Sequence, residues 1–319
     1  MRMETEVKAV CVSEKRGTVK RPVDSAVFLQ DYGIEGDAHA GNWHRQVSLL
    51  SWEKIQQFKE SGADVAYGDF GENLVVSGFD FRSLPVGTRF ICGDVVLEMT
   101  QIGKECHAHC QIYHRMGDCI MPREGVFARV VSAGVIRPGM EFRMTDPEEN
   151  RPLRAAVITL SDKGALGERT DESGPAVSKR LTGAGYRVEE ELLLADEQKR
   201  IETELIRLSD GRQLDLILTT GGTGFSKRDV TPEATLAVAE RNAPGISEAI
   251  RSYSMQLTKR AMLSRGVSVI RGSTLIVNLP GSPKAVNESL DCILDTLEHG
   301  IRVLKGTAAE CAAQIRPVQ

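Results

Sequence analysis

Nowhere in the 319 residues does an apolar run approach membrane-spanning length, and the opening Met1-Arg2-Met3-Glu4-Thr5-Glu6 lacks the apolar stretch of a secretory leader. From these two absences we expect a cytoplasmic protein with no membrane partner. Charge of one sign is also lacking: a net charge of −4 gives no basis for bulk binding of nucleic acid or of an anionic bilayer. Cysteine is sparse. Seven in a chain this long do not make a disulfide framework, and the odd count leaves at least one free thiol. There is no low-complexity tract and no internal repeat. What is present, 41% hydrophobic and 26% charged residues, is ordinary for a globular protein, and the length calls for two domains that can each bury a core.

The seam between them falls at residues 146–152, Asp-Pro-Glu-Glu-Asn-Arg-Pro, polar and proline-bearing as an interdomain linker is. We expect domains over 1–146 and 153–319, joined by 147–152. Ahead of the seam, short apolar segments at 7–13, 46–50, 71–76, 88–91, 94–100 and 125–131 read as strands, with one amphipathic helix at 51–61. Many short strands and few helices predict a mainly β barrel. Beyond it the rhythm becomes strand, helix, strand. Strands are expected near 155–160, 186–193, 214–219 and 274–279. Helices are expected at 174–184, 197–209, 231–239, 245–258 and from about 282 onward, the last with Val286, Leu290, Ile293, Leu297, Ile301 and Leu304 on one stripe. The alternation predicts an α/β domain, a parallel sheet wound by helices on both faces, with ligands at the carboxyl ends of its strands.

Four loops fall at that edge. Ser161 and Asp162 follow the first strand, Asp196 the second, the run Thr219-Thr220-Gly221-Gly222-Thr223-Gly224 the third, and Pro280-Gly281-Ser282 the fourth. A glycine-rich turn between a buried strand and a helix leaves backbone N–H groups to face an anion, and the three threonines add hydroxyls. Asp229 and Glu233, just beyond, are carboxylates from which a cation can bridge to phosphate. No Gly-Lys-Ser/Thr follows, so the run is not a Walker A loop. Each loop alone also admits a plain reading: Asp196 and Ser282 stand where helix N-caps do.

With Met262-Leu263-Ser264-Arg265 and Asn278-Leu279, these motifs resemble the MogA/MoaB-type molybdopterin-binding domain, in order, over about 153–306. The resemblance implies an adenylyltransferase that activates molybdopterin with Mg-ATP and releases pyrophosphate. It implies Asp196 and Asp229 as catalytic residues holding Mg²⁺ through the nucleotide phosphates, with Glu233 nearby. Ser161, Asp162, Thr219, Thr220, Gly221, Gly222, Thr223, Gly224, Ser264, Pro280, Gly281 and Ser282 would form the substrate cleft. A homotrimer, and molybdopterin synthase, a molybdate-insertion protein or client molybdoenzymes as partners, are implied by analogy.

In the first domain Cys106-His107-Ala108-His109-Cys110, with His114 and Cys119 beyond, admits a structural zinc site, a set of unrelated core residues, or a reactive thiol at Cys106 activated by Lys104 and His107. The segments 33–39, 46–50, 71–74, 103–106 and 125–129 resemble the MOSC domain. That resemblance implies binding of the pterin–molybdenum cofactor or transfer of sulfur to it, with Cys106 as the matching thiol, able to ligate molybdenum, and His39 in the cleft. Both halves thus point to molybdenum cofactor biosynthesis. The alternatives are a non-catalytic carrier or insertion factor and a different nucleotide-dependent transferase.

Overall fold

The computed structural model describes residues 5–104, 111–145 and 151–306. The chain separates into two compact units, Met1–Glu149 and Asn150–Gln319, each with cores of its own. Among the described residues no helix is long and apolar enough to cross a membrane.

The first unit is mainly strands: β1 (Val7–Val12), β2 (Arg21–Val23), β3 (Ala26–Leu29), β4 (Gly33–Ile34), β5 (Val47–Ser51), β6 (Leu74–Val76), β7 (Arg89–Cys92), β8 (Val95–Ile102), β9 (Val126–Ser132), β10 (Gly134–Ile136) and β11 (Arg143–Thr145). Eight of them pair in the order β11-β7-β8-β9-β5-β6-β1-β2, and β10-β3-β4 form a second sheet. β5 and β6 run parallel because α1 (Trp52–Glu60) lies between them; a parallel pair needs such a crossover. α2 (Gln111–Met116) and α3 (Met121–Glu124) precede β9. The hydrogen-bonded order ends at β11 and β2, and an antiparallel bridge between Glu6 and Glu141 ties the chain ahead of β1 to the chain ahead of β11. The strands missing from the sequence reading, β2, β3, β4, β10 and β11, have two to four residues each, too few to show an alternation of period two.

In the second unit β12 (Arg154–Leu160), α4 (Asp162–Ala165), α5 (Ser173–Gly183), β13 (Arg187–Leu194), α6 (Gln198–Ile206), β14 (Leu216–Thr220), α7 (Thr231–Ala237), β15 (Arg241–Asn242), α8 (Pro244–Leu257), β16 (Ser268–Arg271), β17 (Thr274–Leu279) and α9 (Pro283–Leu304) follow one another. The sheet order is β13-β12-β14-β17-β16-β15. Every residue of β12 is buried, as a strand covered on both faces requires. Ala155 and Val157 pack with Val177 and Leu181 of α5 and with the α9 stripe. Ala156, Ile158 and Leu160 pack on the other face with Ile201 and Leu205 of α6 and Ala234 of α7.

The sheet is mostly, not wholly, parallel, which corrects the expectation above. β16 pairs antiparallel with β17, Arg271 opposite Thr274, and only Gly272 and Ser273 lie between. Two residues can turn a chain back but cannot carry it over to a parallel start, and Gly272 takes the positive φ (+54°) that the turn demands. Strand order reverses at β12, since β13 lies on one side of it and β14 on the other, and the cleft opens there.

Candidate active site

At the carboxyl ends of β12, β13 and β14 a cleft of about 400 Å³ is lined by Ser161, Asp162, Asp196, Thr220, Gly221, Gly222, Asp229, Gly281 and Ser282 from the sequence-derived set. Lys163, Asp171 and Ser173 of the segment after β12 line it as well, as do Thr159 and Arg169, which the sequence reading did not single out.

Asp196 does not cap the helix behind it; Glu197 occupies that position, with no side-chain bond. Its carboxylate turns instead to the neighbouring loop. Oδ2 accepts the Asp162 N–H at 3.1 Å, and Asp162 Oδ1 accepts the Asp196 N–H at 3.0 Å. Asp196 Oδ1 is buried without a hydrogen-bond partner. Burial, then the charges of Asp162 and Asp229, raise its pKa above the ordinary carboxylate value. Arg228 grips Asp162 with both arms, at 2.8 and 2.7 Å, and holds that carboxyl below its ordinary pKa. Asp229 Oδ2 accepts the Ser226 N–H at 2.8 Å and closes the turn of the loop.

The glycine-rich run is shaped from behind. Thr231 binds the carbonyls of Gly221 and Gly222, through Oγ1 at 3.0 Å and N–H at 3.2 Å. The N–H of Arg265 donates to Thr223 O at 2.9 Å, and its Nε to Gly224 O at 2.7 Å. The Gly221 N–H donates to Leu279 O at 3.4 Å, and the Gly222 N–H is left to face an incoming anion. Gly222 lies at φ +63°, and a Cβ there would strike Thr231 Oγ1 and come within 2.7 Å of Asp196 Oδ1. Glycine is what lets the backbone approach that carboxylate.

Several expected ligand groups have other partners. Thr219 is fully buried, and its Oγ1 accepts from Asn278 Nδ2 at 2.9 Å; Thr220 Oγ1 donates to Pro280 O at 2.7 Å. Glu233 pairs with Arg265, and neither it, Thr223, Gly224 nor Ser264 lines the cleft. Pro280 is likewise a neighbour of the lining, not part of it. Ser282 caps α9 through Ala285 N–H (3.3 Å), combining the plain reading with a place in the cleft, and Ser161, for which no cap was expected, caps α4 through Gly164 N–H (3.1 Å). Arg265, which stitches loop to carboxylate, had no assigned role; its partners lie up to 42 residues away, beyond the reach of local pattern.

In the first unit His39 sits on a turn held by a buried ion pair. Lys20 Nζ donates to Asp37 Oδ2 at 2.5 Å and lies 3.2 Å from His39 Nδ1, which is itself 3.5 Å from Asp37 Oδ1. Asp37 Oδ2 also receives the Ser13 N–H and Asn73 Nδ2. Burial alone would raise the Asp37 pKa, but the His39 side chain, Lys20 and the N–H groups of His39 and Ser13 hold it far below the carboxylate range. Asp37 is therefore a buried anchor that also closes its turn, Oδ1 accepting the His39 N–H at 3.0 Å, and Lys20 went unnoticed in the sequence. Cys106, His107, His109, Cys110 and the side chain of His114 lie outside the described residues. Cys119 is a core residue, buried with Ile112, Ile120 and Met121.

A mostly parallel α/β sheet with a carboxylate- and glycine-lined cleft at its switch point defines a ligand-binding domain of the doubly wound class. Comparison with known proteins narrows it. A model described as a probable molybdopterin binding domain matches residues 156–299, and a MOSC domain model matches 36–149. Over 184 residues the chain is 41% identical to the molybdopterin adenylyltransferase of Escherichia coli (strain K12), covering 52% of this chain and 94% of that protein. The enzyme of the same name from Haemophilus influenzae is 43% identical over 157 residues, 48% of this chain and 78% of that one. Among solved structures, the molybdopterin biosynthesis enzyme MoaB of Thermus thermophilus is 44% identical, covering 48% of this chain and 97% of that chain at a TM-score of 0.47. Through its second unit the chain belongs to the molybdopterin adenylyltransferase family, and it carries a MOSC domain ahead of it.

Proposed function

We propose that the second unit transfers the adenylyl group of ATP to molybdopterin in the biosynthesis of molybdenum cofactor. A terminal phosphate oxygen of molybdopterin forms a bond to the α-phosphorus of ATP, the α–β bridge bond breaks, and pyrophosphate leaves. Such a reaction asks the protein for position and charge neutralisation, not for a covalent intermediate. The observation that carries the reading is Asp196 Oδ1, a buried carboxylate oxygen with no partner beside the glycine loop.

A free carboxylate oxygen near Asp229 is the donor type that Mg²⁺ takes. No group of three or more metal-binding side chains is assembled among the described residues, so protein carboxylates alone do not form a cage. That fits a cation which keeps water and phosphate oxygens and takes only one or two carboxylates, here Asp196 and Asp229. Bound there, Mg²⁺ would neutralise charge on the nucleotide phosphates. Asp162 orients Asp196, Arg228 balances Asp162, and the N–H of Gly222 holds a phosphate oxygen, that of Gly221 being bound to Leu279 O.

For the first unit we propose binding of the maturing cofactor or delivery of sulfur to it, with Cys106 as the thiol and His39, on its buried Lys20–Asp37 anchor, as a cleft residue. The domain order 1–146, 147–152 and 153–319 would then join two steps of one route in a single chain and raise the product's effective concentration at the second site. The deciding experiment measures pyrophosphate release from Mg-ATP with and without molybdopterin, for the intact chain and for Asp196→Ala and Asp229→Ala. Release that requires the pterin and collapses in both variants supports the reading. Pterin binding without release would sink it in favour of the carrier.

A further inference from the structure

One part of the cleft is not used by the chemistry above. Thr159, the penultimate residue of β12, is 6% exposed, lines the cleft, and its Oγ1 has no hydrogen-bond partner. Asp171 faces it from the loop ahead of α5. Asp171 Oδ1 caps that helix, accepting the N–H groups of Ser173 and Gly174 at 3.0 Å each, while Oδ2 is left over. Both free oxygens flank one point: a Cβ on Gly174 would lie 2.5 Å from Thr159 Oγ1 and 2.5 Å from Asp171 Oδ2. Glycine at 174 keeps the space between them open. Ser173 Oγ donates to Gly281 O at 2.9 Å, and Gly281 lies against Gly221, so this corner is joined to the glycine loop by a short chain of contacts.

A buried hydroxyl and an ionised carboxylate oxygen form a face rich in acceptors. Phosphate and thiolate groups are repelled from it by the Asp171 charge, so the nucleotide phosphates and the dithiolene are poor occupants. Adenine presents only its amino group to such a face. A 2-amino-4-oxopteridine presents two adjacent donors, the 2-amino group and the ring N–H beside it.

We infer that Thr159 and Asp171 bind the 2-amino-4-oxo ring of the pterin and determine its specificity, leaving the Asp196–Asp229 side of the cleft to the nucleotide phosphates. This subsite rests on the adenylyltransferase reading. A site built to pair two donors rejects an analogue that lacks one of them, because its own oxygens are then left buried and unpaired.

The test uses Asp171→Asn, which keeps the Oδ1 cap and turns the free oxygen into a donor, and Thr159→Val, which removes only the hydroxyl. Pyrophosphate release gives KM for molybdopterin and for ATP, and competition with 2-amino-4-oxopteridine and with 2,4-dioxopteridine reads the ring. In the wild type we expect inhibition by the first pteridine at concentrations where the second has little effect. In both variants we expect KM for molybdopterin to rise about tenfold or more, with KM for ATP within about twofold, and Asp171→Asn to erase the preference between pteridines. Equal or absent inhibition by the two pteridines in an active wild type overturns the subsite alone. A rise in KM for ATP alone would put adenine in this corner and likewise overturn it. A wild type that releases no pyrophosphate sinks the adenylyltransferase reading, and the subsite with it.

Discussion

Asp162 and Asp196 hold each other by exchange of backbone donors: each carboxylate accepts the other's N–H, at 3.0 and 3.1 Å, across two loops 34 residues apart. The arrangement brings two negative charges together, and Arg228 offsets one of them. Asp196 keeps its second oxygen buried and unpartnered. A site that stores repulsion in its empty form is relieved when a cation and phosphates enter.

Asp196→Asn tests that directly. The folded-state pKa of Asp196 is raised, so the folded protein favours the protonated acid, and ionisation costs stability as pH rises through the ordinary carboxylate range. The neutral amide should raise the melting temperature at pH 7 while pyrophosphate release falls roughly a hundredfold or more. A variant both less stable and less active would refute the idea of stored repulsion.

Gly222→Ala should leave the sheet intact and cripple the loop. The added methyl meets Thr231 Oγ1 and Asp196 Oδ1, and φ +63° is strained for alanine. We expect at least a tenfold loss in kcat/KM with unchanged far-ultraviolet circular dichroism. Gly183→Ala, on α5 with open space around it, is the control and should retain full activity.

Glu72 in the first unit is fully buried. Its Oε1 accepts the Gly68 N–H at 2.7 Å, Oε2 has no partner, and burial pushes its pKa up to about 7. Between the ordinary carboxylate value and about 7, the folded form holds a proton that the unfolded form has lost. Stability from this group is therefore greatest in acid and declines across that window, by a few kcal/mol in order of magnitude. In Glu72→Gln that decline should vanish, which calorimetry of the full chain from pH 4 to pH 8 would read as a flatter melting profile of the first unit. Parallel profiles for the two proteins would contradict it.

Lys20→Met leaves Asp37 buried with its ammonium partner gone. Breaking a buried pair from one side costs roughly 3–5 kcal/mol, so the first unit should melt well below its native temperature. The double change Lys20→Met with Asp37→Leu should recover part of the loss. Because His39 rides on this pair, the cofactor binding proposed for the first unit should weaken in the single variant even at temperatures where it stays folded.

Much of this was legible before any coordinates. The stripe Val286, Leu290, Ile293, Leu297 and Ile301 is buried along α9, because an apolar repeat of the helical period can satisfy itself only against a core. The largely apolar segment at 155–160 read as a buried strand, and every residue of β12 is buried. The loops after β12, β13 and β14 were placed at one edge by alternation alone, and they do line one cleft.

Sequence by itself determined the periodicities, the glycines where a side chain cannot fit, and the chain order of the motifs, since these are local consequences of sterics and burial. Only the tertiary structure decided partners. It turned Asp196 from a cap into half of a carboxylate pair, withdrew Glu233 to Arg265, gave Thr219 to Asn278, and set Thr159 opposite Asp171. Hydrogen-bond partners far apart in the chain are chosen by how helices and strands pack. No local pattern records a distance that only the assembled core fixes.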